Sequence, residues 1–427
     1  MGFILDISLC VRLLSLFILG GILGGQINRG IYRLAVINPR QIGPWSRPDA
    51  KAPGRRWFDR LPIVGWFGLR REEPIHGRGF WVRPLLIELF TAIGFAWLYY
   101  WEINGGLLPA GAVAADHQTP LHVHYLLHIT LISLMMVATF IDFDEQIIPD
   151  SITVPGALIA LCFAVVPYSR LPILDRVDLL ERPEVGYLTV SLPDTGALAI
   201  AIACFVGSCL ALLPTLWCFK DGFRKAILYF IAHLIRPRRK TKRPEGAKPR
   251  RPFPVVILYF LLLVFGTVVI ILFWQFADTE AQKGLFSALI GMAFGGGLVW
   301  TVRILGTLAL QKEAMGFGDV TLMAMIGAFL GWEAALIVFF LAPFAALMIA
   351  VGQLIFIRRT DIAFGPYLCL AAVFLILGWH TIWNLRADDI FKMGWLVPGM
   401  VAVCLALMGI MLLAWRHIKE LLFRDRE

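Results

Sequence analysis

Long apolar runs separated by polar connections set the pattern of this chain. They fall at 7–26, 84–103, 122–141, 152–169, 195–218, 254–276, 284–305, 319–333, 334–357, 363–381 and 395–415. Most have the length of a membrane-crossing helix, and none shows the short alternating segments of a membrane barrel. The pattern predicts an all-α polytopic membrane protein with about eleven transmembrane helices. The run 319–333 is short and reads as a half-helix, or as a span completed by its neighbours. The first run, Ile7–Gly25, is followed by basic residues rather than a small-residue cleavage site, so it is expected to remain as a span.

The polar connections differ sharply in charge. The loop 27–83 carries a dozen Lys and Arg, among them Arg55, Arg56, Arg70 and Arg71. The loop 219–253 carries another dozen, Arg358 and Arg359 add a third basic patch, and the loop 105–121 has none. The positive-inside rule puts the basic loops in the cytoplasm. Counting spans from there places the N-terminus outside and the tail "RHIKELLFRDR" in the cytoplasm. The chain divides into N-terminal helices with their basic loop (1–121), a first acidic helix pair (122–165), a segment with two further spans (166–282) and a C-terminal group (283–427).

Composition agrees with this reading. The 427 residues are 59% hydrophobic and 16% charged, whereas soluble chains are about a quarter charged. The net charge of +9 follows from the basic loops, which suit anionic membrane lipid better than nucleic acid. Seven cysteines, at 10, 162, 204, 209, 218, 369 and 404, all lie in apolar runs and form no C-x-x-C pair, which argues against a zinc ribbon or an extracellular disulfide. His122, His124 and His128, with His117 nearby, fall on the outer side, where a metal site is the less expected reading. Gly20 and Gly24, like Gly21 and Gly25, are four apart and predict a close-packing helix face. Glu88, one turn into a span, is expected either to be an interfacial charge, to partner a basic residue, or to support the site.

Two apolar stretches carry acids. "FIDFDEQIIPD" holds Asp142 and Asp144, and "MGFGDVTLMAMIGAFLGW" holds Asp319 behind Gly316 and Gly318. The topology brings Asp142 and Asp319 to one membrane face and one depth, although they lie 177 residues apart in sequence. Acids near hydrocarbon are costly and usually functional. Two close carboxylates share a proton and can act as base and acid around one water, which is aspartyl protease chemistry. Asp144, two residues from Asp142, points to another helix face and reads as a surface or supporting acid. Pro149 is expected to end the helix after Asp142, with Asp150 or Ser151 capping the next one.

At these residues the chain resembles the type IV prepilin leader peptidases, membrane aspartic proteases with a G-x-G-D motif. "AMGFGDVTLMAMIGAFLGW" and "FIDFDEQIIPDSITVPG" resemble their two aspartate segments, and "IAFGPYLCLAA", with Gly365 and Pro366, their Phe-Gly-Pro helix entrance. "ILGGQINRGIYRL", "DRLPIVGWFGLR" and "RPLLIELFTA" resemble their N-terminal part. The resemblance implies that Asp142 and Asp319 are catalytic and that the peptidase step needs no metal or cofactor. It also implies removal of a short basic leader from a prepilin or pseudopilin at the cytoplasmic face of a bacterial inner membrane. Three departures stand out. The loop 27–83 lacks the cysteine pairs often found there, so the S-adenosylmethionine-dependent N-methylation of many members is left open. Thr321 replaces a frequent lysine, and 166–282 looks inserted. The rival expectation is a membrane transporter or an assembly scaffold of the same fold without catalysis.

Overall fold

In the computed structural model the described residues are 7–37, 42–44, 46, 48, 52–108, 118–166, 195–212, 253–311, 315–356, 364–383, 387–391, 393 and 396–423. The basic loop 219–253 (apart from Phe253), Arg358, Arg359, His117 and Cys218 lie outside them. Among the described residues the regular structure is helical throughout. The main helices are α1 (Leu9–Leu34), the short α2 (Val64–Leu69), α3 (Val82–Ile103), α4 (Gln118–Glu145), α5 (Asp150–Ala164) and α6 (Thr195–Leu212). They continue as α7 (Phe253–Phe276), α8 (Thr279–Leu310), α9 (Phe317–Leu330), α10 (Trp332–Phe356), α11 (Gly365–Leu377) and α12 (Leu396–Phe423). Seven are long and apolar enough to cross a membrane, and four shorter apolar helices match the remaining predicted spans.

The outer helices carry exposed apolar stripes. Leu14, Ile18 and Ile22 of α1 are more than 40% exposed, as are Met400, Val403, Leu407 and Ile410 of α12. Lipid tails cover such stripes at no cost, whereas water would not. At the centre, α9 is buried at every position from Asp319 to Leu330 except the partly buried Ala324. It packs against α8, α5, α10, α11 and α4, the α8 contact being the most extensive. A helix that is apolar all round must be enclosed in this way.

Two boundaries differ from the sequence expectation. The break between the runs 319–333 and 334–357 falls at Gly331, whose φ of 91° ends α9 and whose N–H bonds the Gly327 carbonyl. The fourteen residues of α9 rise about 21 Å, so it stops short of a full crossing and α10 resumes at once. The second difference lies after Asp142. Pro149 does not stop that helix. Gln146 does, in a left-handed conformation (φ 54°), with its N–H on the Asp142 carbonyl. Pro149 is instead the N-cap residue of α5 and makes no side-chain cap.

The predicted glycine face of α1 lies against α3. A Cβ on Gly20 would stand 2.8 Å from the Ala92 Cα, and one on Gly24 would stand 2.7 Å from the Glu88 Cα. Both obstacles are backbone, which cannot turn aside. Gly24→Ala should therefore destabilise the protein by about 1–3 kcal/mol. Gly94→Ala on α3, with nothing within 4 Å, should leave stability level or raise it slightly. Thermal unfolding of the two variants in mild detergent checks the ordering. Equal melting temperatures would mean that α1 and α3 do not meet at this distance.

Candidate active site

Asp142 sits in the last turn of α4 and Asp319 in the first turn of α9. Both are almost fully buried, at 5% and 7% exposure. The two acids are close enough for their charges to interact. Each is held by the start of a helix. The Gly316 N–H donates to the Asp319 carboxylate, half of a capping box, because Gly316 is the N-cap residue and Asp319 stands three positions on. The Gly365 N–H, the first of α11, donates to Asp142. Pro366 follows at a position where a helix has no N–H to satisfy. Both carboxylates thus face the positive end of a helix dipole.

Ile148 spaces the two helix starts. It lies in the turn between α4 and α5, beneath Gly318 on one side and Gly365 on the other. A Cβ on Gly318 would come within 2.7 Å of the Ile148 Cβ. One on Gly365 would stand 2.6 Å from both the Ile148 Cδ1 and the Asp142 Oδ2. Gly318 and Gly365 therefore serve close approach, while a Cβ on Gly316 would meet Asp319 Oδ2 only at 3.6 Å.

Four further residues shape the site without a clear signal in the sequence. Arg303 of α8 donates from Nε to the Met315 carbonyl at 2.9 Å and lies over the Phe317 ring, which fixes the approach to the G-x-G-D turn. Cys369 of α11, buried one turn beyond Gly365, hydrogen-bonds with Thr139 and feels the charge of both acids. Thr153 of α5 donates to the Thr321 hydroxyl at 3.0 Å, and Thr321 donates to the Gly318 carbonyl. Thr321 is thus a buried link between α9 and α5, which accounts physically for a short hydroxyl there in place of a long cation.

The other predicted residues lie elsewhere. Asp144 is exposed and accepts both of its 2.8 Å bonds from Arg83, which also covers the Phe140 ring. Glu88 is 1% exposed, neither interfacial nor paired with a base. It accepts from the Ile63 N–H (2.6 Å), the Trp66 indole (2.8 Å) and the Asn28 amide (3.2 Å). His122 bonds the Tyr99 hydroxyl, and His128 stands 2.7 Å from the buried Glu102, a partner that sequence reading missed. Among the described residues no three His, Cys, Asp or Glu side chains gather as a metal site requires. The basic loop is held instead by ion pairs, Arg55 forking onto Glu72 at 2.8 and 3.0 Å and Arg71 meeting the buried Asp59 at 2.5 Å.

Comparison with known proteins adds an independent line. Residues 254–351 match the model of the type IV leader peptidase family. That stretch contains Gly316, Gly318 and Asp319 but neither Asp142 nor Gly365. It begins inside the 166–282 segment. The chain is 34% identical over 107 residues to the prepilin leader peptidase/N-methyltransferase of Escherichia coli K12, which covers 24% of this chain and 48% of that protein. Proteins of the same name from Aeromonas hydrophila and Myxococcus xanthus are 37% and 30% identical over 102 and 150 residues. Those alignments cover 23% and 35% of this chain, and 35% and 39% of the relatives. The chain thus spans less than half the length of these relatives. No solved structure matches.

The geometry separates two substitutions at neighbouring acids' supports. Gly365→Ala forces a methyl against Asp142 and Ile148 and should cost about 1–3 kcal/mol. Asp144→Asn removes an exposed pair and should cost under about 1 kcal/mol. Chemical unfolding of both variants in detergent, with the reverse order as the contrary result, checks this placement.

Proposed function

We propose that this chain, which belongs to the type IV leader peptidase family, is a membrane aspartyl endopeptidase with Asp142 and Asp319 as its catalytic pair. The reading is carried by one observation. Two acids 177 positions apart are both buried at one end of the helix bundle, close enough for their charges to interact, each under the first N–H groups of a helix.

The chemistry follows from that pairing. Two close carboxyls hold one proton between them. The ionised member takes a proton from a water while the water oxygen attacks the scissile carbonyl carbon. The protonated member donates to the carbonyl oxygen, giving a neutral gem-diol. The acid that took the water proton then gives it to the amide nitrogen while the other takes a proton from a diol hydroxyl, so that the C–N bond breaks to a carboxylic acid and an amine and the pair returns to its starting state. Water is the only co-reactant. The helix starts at Gly316 and Gly365 hold each carboxylate in place, so little reorganisation accompanies the proton shifts.

The substrate we propose is a prepilin or pseudopilin, cut between a short basic leader and an apolar helix at the cytoplasmic face of a bacterial inner membrane. Three features support it: the names of the relatives, the apolar helices, and the placement of the acids at the end that also carries the loop 27–83. N-methylation with S-adenosylmethionine, part of the relatives' printed name, is no step of this hydrolysis.

Co-expression with a candidate prepilin from the same genome tests the reading. The unaltered chain should shorten the prepilin by its leader, and Asp142→Asn and Asp319→Asn should each abolish cleavage with folding intact, a drop of several orders of magnitude. The mass of the new N-terminus reveals any added methyl group. Cleavage that survives either substitution removes that acid from the mechanism. A substrate bound but never cut, by any version of the chain, would favour a scaffold.

A further inference from the structure

We propose that the segment Trp57–Arg71 is seated in the membrane, with its turn dipping into the hydrocarbon of the inner leaflet and its arginines on anionic lipid headgroups. Its charge places it in a basic cytoplasmic loop. The structure gives it a depth. The turn at Pro62–Ile63 is tied to Glu88, six residues or about 9 Å beyond the first residue of α3. On the other side, a Cβ on Gly21 would meet Pro62 at 3.5 Å and Ile63 at 3.6 Å. Gly21 is five residues, about 8 Å, before the cytoplasmic end of the run 7–26. Two spanning helices therefore place the turn independently at matching depths, inside the cytoplasmic edge of the span.

The local chemistry suits that depth. Irregular backbone within a bilayer survives only where its polar groups are satisfied by protein. Pro62 has no N–H. The N–H of Leu61 bonds Phe58, that of Val64 bonds Pro62, that of Gly65 bonds Leu61 and that of Trp66 bonds Ile63. Ile63, at φ 62°, has no backbone acceptor in reach, and Glu88 supplies one. This gives the buried Glu88 carboxylate its purpose.

The outward face is apolar where it is deepest. Leu61, Val64 and Phe67 are 41%, 52% and 58% exposed, and Trp57 is 77% exposed. Their spacing makes one strip, opposite the buried Asp59, Gly65, Trp66 and Leu69. Phe67 rests on Trp81 just ahead of α3, at the level where aromatic residues mark the membrane interface. Exposed Arg56, Arg60 and Arg70 flank the strip, while Glu72, Asp59 and Glu73, the loop's acids among the described residues, are taken up by Arg55, Arg71 and Trp81. An apolar strip bordered by arginines is the pattern of an in-plane membrane element, and its charge complements anionic headgroups.

The test reads water access. Val64→Cys, Phe67→Cys and Arg78→Cys are each made in the full chain, and the unaltered chain gives the background of the native cysteines. The proteins are placed singly in nanodiscs of phosphatidylcholine, with or without phosphatidylglycerol, and treated with a charged maleimide. Cys at 64 and 67 should react at least about tenfold more slowly than Cys at 78, and the difference should vanish in SDS. Adding Arg60→Glu and Arg70→Glu should speed labelling at 67 in discs containing phosphatidylglycerol and leave it unchanged in pure phosphatidylcholine. Labelling at 64 and 67 as fast as at 78 overturns the proposal. Protection that appears only when two copies share a disc assigns the strip to a second copy and overturns it as well. Far-UV circular dichroism and the melting temperature of each variant show whether it has folded, and either of the two positions on the apolar strip suffices for the comparison.

Discussion

The packing of two helix starts on one isoleucine governs the site. Ile148 projects from the turn between α4 and α5, and both Gly318 and Gly365 close upon it. The approach of these two helix starts to the acids depends on this apolar contact. If α11 stood off by the width of a methyl group, the Gly365 N–H would no longer reach Asp142, whereas Asp319 would keep Gly316, which belongs to its own helix start. Asp142 would then be buried without that donor, which costs more than a lost methyl contact. A van der Waals fit here sets the geometry of an electrostatic one.

The membrane makes this dependence stricter. In lipid the helices gain little from burying apolar surface against one another, so close packing and internal hydrogen bonds must hold the bundle. The pairs Gly20–Ala92 and Gly24–Glu88 serve this for α1 and α3. The bonds that Glu145 accepts from Val36 and Ile37 serve it for α4 and the end of α1. The same α4 turn carries Asp142 inward and Asp144 outward, so one turn of helix gives the site an acid and also fastens its own end to α3 through Arg83.

Much of this was legible in the sequence because hydrocarbon imposes a length. Every predicted run has a helix, and Asp142 and Asp319 stand out because acids are rare at the ends of such runs. The G-x-G-D spacing also gave a local reason for tight backbone. What stayed hidden depends on partners far away in the chain. Glu88 leaves three readings open in the sequence, since nothing in its own neighbourhood reveals that Ile63 and Trp66 come back to it. Ile148 looks like any apolar residue before a proline. Hydropathy could not place the break at Gly331, because the apolar run continues through it, and Pro149 drew attention from Gln146, whose left-handed conformation has no firm signature.

The acid pair also has a history in time. Asp142 emerges early in synthesis, Asp319 much later, and the N–H that holds Asp142 belongs to Gly365, later still. A chain stopped before α11 would carry both carboxyls but lack the support of one. The support of Asp142 is thus complete only once α11 has packed, so the geometry of this end belongs to the assembled bundle and to no shorter stretch of the chain.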